Sequence, residues 1–172
     1  MPLHHHLHRL LTRWVANRRP PDFVIRGEAG NADDYLRRWW VIPRNPLFNL
    51  YLHQVLRSDD DRALHCHPWA SISIILAGSY TERVPARQSQ DPAMDYQPGC
   101  TRDHIRLAGN VIRRSGKARH RLIVDQHSDG AWTLFITGPV YRRWGFWCAK
   151  GWRYWKDYIS DTDRGVTGRG CA

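Results

Sequence analysis

Two histidines one residue apart, His65 and His67 in Leu64-His65-Cys66-His67-Pro68-Trp69, are the residues here with most capacity for chemistry. In an extended chain, residues i and i+2 project to the same face. Both imidazoles can therefore point inwards while Cys66 points away. Two neutral imidazoles converging on one point suit zinc, iron, nickel, manganese or copper. Two ligands rarely make a tight site, so at least a third must come from elsewhere. Taken alone, the pair also fits ordinary polar residues of a strand, because imidazole serves many roles.

Other residues could join such a site. Tyr80 and Glu82 share a face of one extended segment and can reach an interior. There Glu82 could orient a ligand imidazole or act as a base, and Tyr80 could gate the site. The plainer reading is a buried pair satisfied by nearby arginines, since an interior acid needs a partner. His53 lies on an earlier strand-like segment and fits a core or rim residue better than a ligand. His104 and His127 read as solvated loop residues. Cys148 and Cys171 have no histidine at a spacing that would activate either thiol.

These residues need a scaffold, and the composition bounds it. The 172 residues suit a single domain, and 42% of them are hydrophobic, enough for a substantial core. Nine tryptophans must mostly pack somewhere. No apolar stretch approaches the roughly 18 residues of a membrane span, so no membrane role is expected. The four cysteines are scattered without a Cys-x-x-Cys pair, and the amino terminus lacks the long apolar core of an export signal. Reduced thiols and a cytoplasmic location are therefore expected.

The formal net charge is +10. A basic balance can serve nucleic acid or an acidic ligand. Here the basic residues are spread from Arg9 to Arg169, and only Lys117, Lys150 and Lys156 are lysines. Such a spread does not favour a nucleic-acid partner, although it does not remove one.

Residues 3 to 18 carry an amphipathic pattern through Leu3, Leu7, Leu10, Leu11, Trp14 and Val15, stopped by Pro20-Pro21. A short packing helix is expected there. Afterwards the texture becomes short apolar runs cut by Gly, Pro and Asp. Strands are expected at 23–26, 36–42, 48–57 and 72–77, the last stopping at Gly78, with 80–84 as its hairpin partner. Residues 85 to 101 read as a long surface loop. Further strands are expected at 104–107, 110–114, 120–124 and 132–137. The aromatic segment from Arg142 to Tyr158 follows, and it reads as a plug that closes the barrel bottom and packs on the amino-terminal helix. Aromatic and basic interleaving there could instead stack single-stranded nucleic acid, the less favoured reading. Many short strands without helical crossovers point to an all-β sandwich or barrel.

From His65 onward the chain resembles the cupin superfamily, small double-stranded β-helix (jelly-roll) barrels with a metal near one mouth. The first cupin motif is met by His65 and His67, by Ser71 where an acid would stand, and by the closing Gly78. The second is met by Gly109, by Ser115 and Lys117 at its proline and glycine positions, and by His120 at its histidine. The resemblance thus implies three metal ligands, His65, His67 and His120, with Gly116 taking the tight conformation one residue early. Loss of the acid leaves three histidines, similar to the site of cysteine and related thiol dioxygenases. This implies iron, with zinc, nickel and manganese as the other candidates.

The runs His-x-His-Pro-Trp, Gly78-Ser79-Tyr80-Thr81-Glu82, Trp144-Gly145-Phe146 and Trp152 to Tyr158 further resemble a family of bacterial and phage cupins that carries no assigned function. One domain is expected. Residues 1–44 would supply the helix and covering strands, 45–148 the barrel core, and 149–172 the aromatic carboxyl-terminal segment and tail. Cupins are often dimers, so the resemblance implies a homodimer.

The leading functional expectation is an Fe(II) dioxygenase-like enzyme acting on a small molecule, anionic because arginines would surround the mouth. A non-catalytic small-ligand-binding module and a basic nucleic-acid-associated protein are the alternatives.

Overall fold

The computed structural model describes residues 2–28, 34–58, 63–86, 99–125 and 128–172. Helix α1 (Leu3–Leu11) runs into a wider turn over Thr12–Ala16. Its inner stripe, Leu7, Leu11, Val15 and Ala16, packs on Trp39, Leu52 and Leu76. Leu3, Leu10 and Trp14 face outward.

The strands are β1 (Phe23–Ile25), β2 (Gly27–Glu28), β3 (Leu36–Trp40), β4 (Asn49–Val55), β5 (Leu64–His65), β6 (Ser71–Pro85) and β7 (Thr101–Leu107). They continue with β8 (Val111–Arg114), β9 (Arg121–Ile123), β10 (Ala131–Thr137), β11 (Gly145–Cys148), β12 (Gly151–Tyr154) and β13 (Val166–Thr167). A single helical turn, α2 (Trp155–Tyr158), separates the last two. The large sheet runs β1-β3-β4-β10-β6-β7, with β8 and β9 also pairing to β6. A smaller sheet, β12-β11-β5, supplies a second layer. All these pairs are antiparallel; only β2 and β13 pair in parallel. The result is the all-β jelly-roll class expected from the sequence, preceded by one short helix.

Through β4, β10 and the first half of β6, both faces of the large sheet are largely buried. On one, Leu52, Leu76 and Trp39 lie beneath α1. On the other, Tyr35, Val55, Ile75, Tyr80 and Ala131 form a second cluster. Full burial of each such side chain contributes roughly 1.5–3 kcal/mol. The inner face also carries polar side chains, His53, Ser73, Thr133 and Glu82, all buried. An interior with that composition is a site rather than a plain core.

Three expectations need correcting. The apolar run ending at Gly78 does not reverse into a hairpin: β6 passes straight through it for 15 residues. Gly78 sits at φ 69°, opposite Ala131, two residues past the slip in β6–β10 register at Leu76. The first half of β6 therefore pairs with β10 and β8, and the second half with β7 and β9. Glycine permits a bulge as readily as a turn, and here long-range pairing selects the bulge.

The second correction concerns the thiols. Cys148 and Cys171 form a disulfide, with Cα atoms 5.4 Å apart, instead of remaining reduced. The third concerns the aromatic carboxyl-terminal segment, which does not pack on α1. The small sheet carries Phe146, and this ring and Tyr158 pack with the Ala63 and Cys148 region. The reason is that α1 already has its partners in Trp39 and Trp132. Of the expected surface loop, residues 87–98 lie outside the described residues, as does His127.

A side chain at position 78 would be doubly disfavoured. Its Cβ would lie 2.0 Å from the Gly130 carbonyl oxygen, at a φ that L-residues rarely adopt. Gly78→Ala should therefore lower stability by roughly 2–3 kcal/mol, read as a reduced urea midpoint.

Candidate metal centre

The three histidines named by the sequence reading converge. His65 ends β5, and His120 lies directly across from it just before β9. The two backbones exchange both hydrogen bonds, His65 N–H to His120 C=O at 2.9 Å and His120 N–H to His65 C=O at 3.0 Å. Cross-strand partners in such a pair present their side chains to the same face. His67, two residues beyond His65, returns to that face by strand alternation. Its N–H donates to the Gly116 carbonyl at 3.2 Å.

One nitrogen from each ring lies within 4.8 Å of the others. His67 Nε2 and His120 Nε2 are 2.9 Å apart, so both lone-pair positions address one point. Cys66 points away, as alternation requires, and its sulfur accepts from Arg142 Nη1 at 3.2 Å. Arg142 also donates to the Gly116 carbonyl at 2.6 Å and the His67 carbonyl at 3.3 Å, which ties the two histidine segments together.

Gly116 sits in a tight turn, closed by the Ala118 N–H donating to the Ser115 carbonyl at 3.0 Å, without a positive φ. Its need for a bare Cα is steric. A Cβ there would stand 2.7 Å from the Tyr141 hydroxyl and 2.8 Å from the His67 carbonyl oxygen. The Gly116 N–H also donates to that hydroxyl at 2.7 Å.

Glu82 explains the orientation of His120. Its carboxylate is 1% exposed, and Oε1 lies 3.0 Å from His120 Nδ1. That contact leaves Nε2 of the ring for the cluster, the arrangement in which an outer carboxylate fixes a ligand imidazole. Oε1 also accepts from Arg114 Nε at 2.6 Å, and Oε2 from Arg106 Nε at 2.8 Å. Burial alone would push this carboxyl up. The His120 hydrogen bond and the Arg114 charge outweigh it and hold the group ionised, below the usual carboxylate range. Glu82 thus meets both the arginines of the plainer reading and the far nitrogen of His120. Tyr80, on the same face, is buried, which pushes its phenol up and keeps it protonated against the opposing Arg114 charge.

His67 and His120 are neutral. Burial, reinforced by His65, His120 and the arginines Arg114 and Arg38, holds His67 well below its ordinary value. Burial takes His120 down to about 3, against the opposing hydrogen bond from Glu82. Neutral nitrogens with free lone pairs are what a divalent transition metal requires. The donor set therefore fits such an ion. No carboxylate belongs to the cluster among the described residues, since Ser71 stands at the acid position and Glu82 meets the far side of His120.

The cluster opens into a cavity of about 490 Å³. His67 stacks between Trp69 and Trp144, with ring centroids 6.0 and 6.3 Å away. Trp144 stacks on Trp155 at 5.6 Å, and Phe146 lies 5.8 Å from His65. The carboxyl-terminal aromatics are thus walls of this site.

His53 lines the same cavity without joining the cluster, and its Nε2 accepts from Arg38 Nε at 2.8 Å. His104 is on β7 and exposed. Sequence reasoning passed over Arg38, Arg114 and Arg142. For Arg38 a signal existed: it falls between Leu36 and Trp40 on the inward face of an alternating strand.

No known family's sequence pattern matches the chain, and no curated protein matches it. Among solved structures it is similar to iron(II) HppE, with 13% identity over 60% of this chain and 51% of that one, at a TM-score of 0.45. It is also similar to EutQ of Clostridium difficile, with 11% identity over 64% and 71% and a TM-score of 0.44. A third is the DMSP lyase DddQ of Ruegeria pomeroyi, with 12% identity over 64% and 50% and a TM-score of 0.45. These neighbours are cupin-fold proteins. The chain spans about half the length of HppE and of DddQ.

His53 supplies a pH prediction. Burial and the Arg38 charge hold it neutral, well below its unfolded value. The unfolded chain then binds the extra proton, so this contribution to stability is complete above about pH 6.5 and is lost as pH falls below it. Chelator-treated protein should lose urea stability between about pH 7 and pH 5, and His53→Gln should flatten that slope. An unchanged slope in the variant would count against the assignment.

Proposed function

We propose that His65, His67 and His120 hold one divalent transition-metal ion, and that the protein is a metal-dependent, dioxygenase-like oxidoreductase acting on a small anionic molecule. The observation that carries this is the convergence of three imidazole nitrogens within 4.8 Å of one another at the wall of a cavity of about 490 Å³. Iron is favoured over zinc, nickel and manganese because the ligand set is three histidines without a carboxylate, as in the thiol dioxygenases the sequence resembles. Such an ion supplies Lewis acidity and, as iron(II), one-electron chemistry with O₂.

The chain's own residues do the rest. His65 and His120 are held as a cross-strand pair, so the ligand geometry is set before anything binds. Glu82 is a positioning residue acting through His120. Tyr80 keeps a phenolic proton on the cavity wall, available to a substrate oxygen. The Trp69, Trp144, Phe146 and Trp155 rings exclude water from the reacting end. In this reading the chain works as one domain.

Elemental analysis of untagged protein purified without added metal tests the proposal. Near-stoichiometric iron, lost in His120→Ala, is the expected result. Tightly bound zinc would favour hydrolytic or isomerase chemistry, and metal without turnover of any substrate would favour a binding module. Equal metal content in the wild type and His120→Ala would sink the site.

The Glu82 role has its own test. Glu82→Gln should weaken metal affinity about 10–100-fold. It should also alter the visible spectrum of the cobalt(II)-substituted protein, which a purely structural role would leave unchanged.

A further inference from the structure

Arg38, Arg44 and Arg164 line the cavity without a part in the metal reading; Arg44 and Arg164 are exposed, whereas Arg38 is held on the wall beside His53. Strand alternation places Leu36, Arg38 and Trp40 on the cavity wall, while Arg37 leaves on the other face to meet Asp34 at 2.6 Å. Pairing in register with His53, Arg38 is held by a hydrogen bond from its Nε to His53 Nε2 at 2.8 Å. Its guanidinium carbon lies 5.0 Å from the centre of the Tyr51 ring and 6.0 Å from that of Phe23.

Among the described residues no carboxylate lies within ion-pairing distance of it. Arg114, by contrast, shares the Glu82 carboxylate with Arg106. A guanidinium cannot shed its proton, so Arg38 keeps its charge on a wall where the described residues offer it no carboxylate.

We propose that Arg38 anchors the anionic end of the ligand, and that this ligand is a monocarboxylate with a flat apolar body. With Nε committed to His53, the two Nη groups remain as a fork that matches the two oxygens of a carboxylate. A phosphate dianion would bring a second negative charge among Phe23, Tyr51, Phe135, Phe146 and Tyr158.

Phe135 links the two ends of the cavity. Its ring lies 5.0 Å from His53 and 6.3 Å from His67. A molecule lying across Phe135 with its carboxylate on Arg38 presents its other end to the three imidazoles. This inference rests on reading the cavity as the substrate site, but not on which metal is bound there.

The test is calorimetric titration of the full chain, treated with chelator, using benzoate, phenylacetate, the neutral benzamide and inorganic phosphate. Saturable benzoate binding at millimolar concentration, tighter than benzamide or phosphate, is expected. Arg38→Gln should weaken benzoate about tenfold or more while leaving benzamide binding and metal content unchanged. Arg38→Lys, which keeps the charge but loses the fork, should fall between the two.

Equal affinity for benzoate and benzamide, no saturable carboxylate binding, or an Arg38→Gln variant that binds as wild type would each overturn the anchor. Preference for phosphate would overturn the ligand class. Should Arg38→Gln fail to fold by near-ultraviolet circular dichroism, the wild-type comparison of benzoate with benzamide still decides. The titrated protein carries no metal, so a failed metal reading leaves these outcomes unchanged and the two readings fail separately.

Discussion

The buried carboxylate of Glu82 is the constraint on which the rest of the interior depends. It is almost wholly excluded from solvent and meets three groups at once, Arg106, Arg114 and Nδ1 of His120. An ion in such a place survives only if its partners are all present, and removing one member of a buried set of this kind costs about 3–5 kcal/mol. The same contacts that satisfy the acid decide which nitrogen of His120 faces the cavity. Stability and site geometry are therefore one network, and the ring cannot turn without stranding a charge.

That network is assembled by β6. Its first half lies in the large sheet beside β10 and carries Ser73 and Ile75 inwards. Beyond the bulge at Leu76 and the positive φ of Gly78 the strand takes new partners and carries Tyr80 and Glu82 inwards. A single chain segment thus joins both ends of the interior. The second layer completes the enclosure: β11 pairs with β5 through Phe146 and His65, bringing aromatic rings onto the histidine segment. The disulfide between Cys148 and Cys171 ties the end of β11 to the carboxyl-terminal tail beside Tyr158.

Much of this was legible beforehand because it depends on local periodicity. Alternation placed His65 and His67 on one face with Cys66 opposite, and it placed Tyr80 beside Glu82. Helical spacing found α1, and the apolar runs located most strands to within a few residues. The errors share one cause. Gly78 is compatible with a turn and with a bulge, and Arg142 to Tyr158 is compatible with packing on any apolar face. In each case local chemistry allowed two outcomes, and only partners distant in sequence chose between them.

The sequence by itself determined which side chains could do chemistry and which of them share a face, because side-chain direction in an extended strand repeats every two residues. It also determined that the fold is built of short strands around an aromatic-rich interior. Only the tertiary structure decided what those side chains meet. The cross-strand pairing of His65 with His120, the contact of Glu82 with His120, the disulfide, and the hydrogen bond of Arg38 to His53 all join residues distant in the chain. Such contacts follow from register and from sheet-on-sheet packing, which are settled by the burial of the whole domain and leave no mark in any short stretch of it.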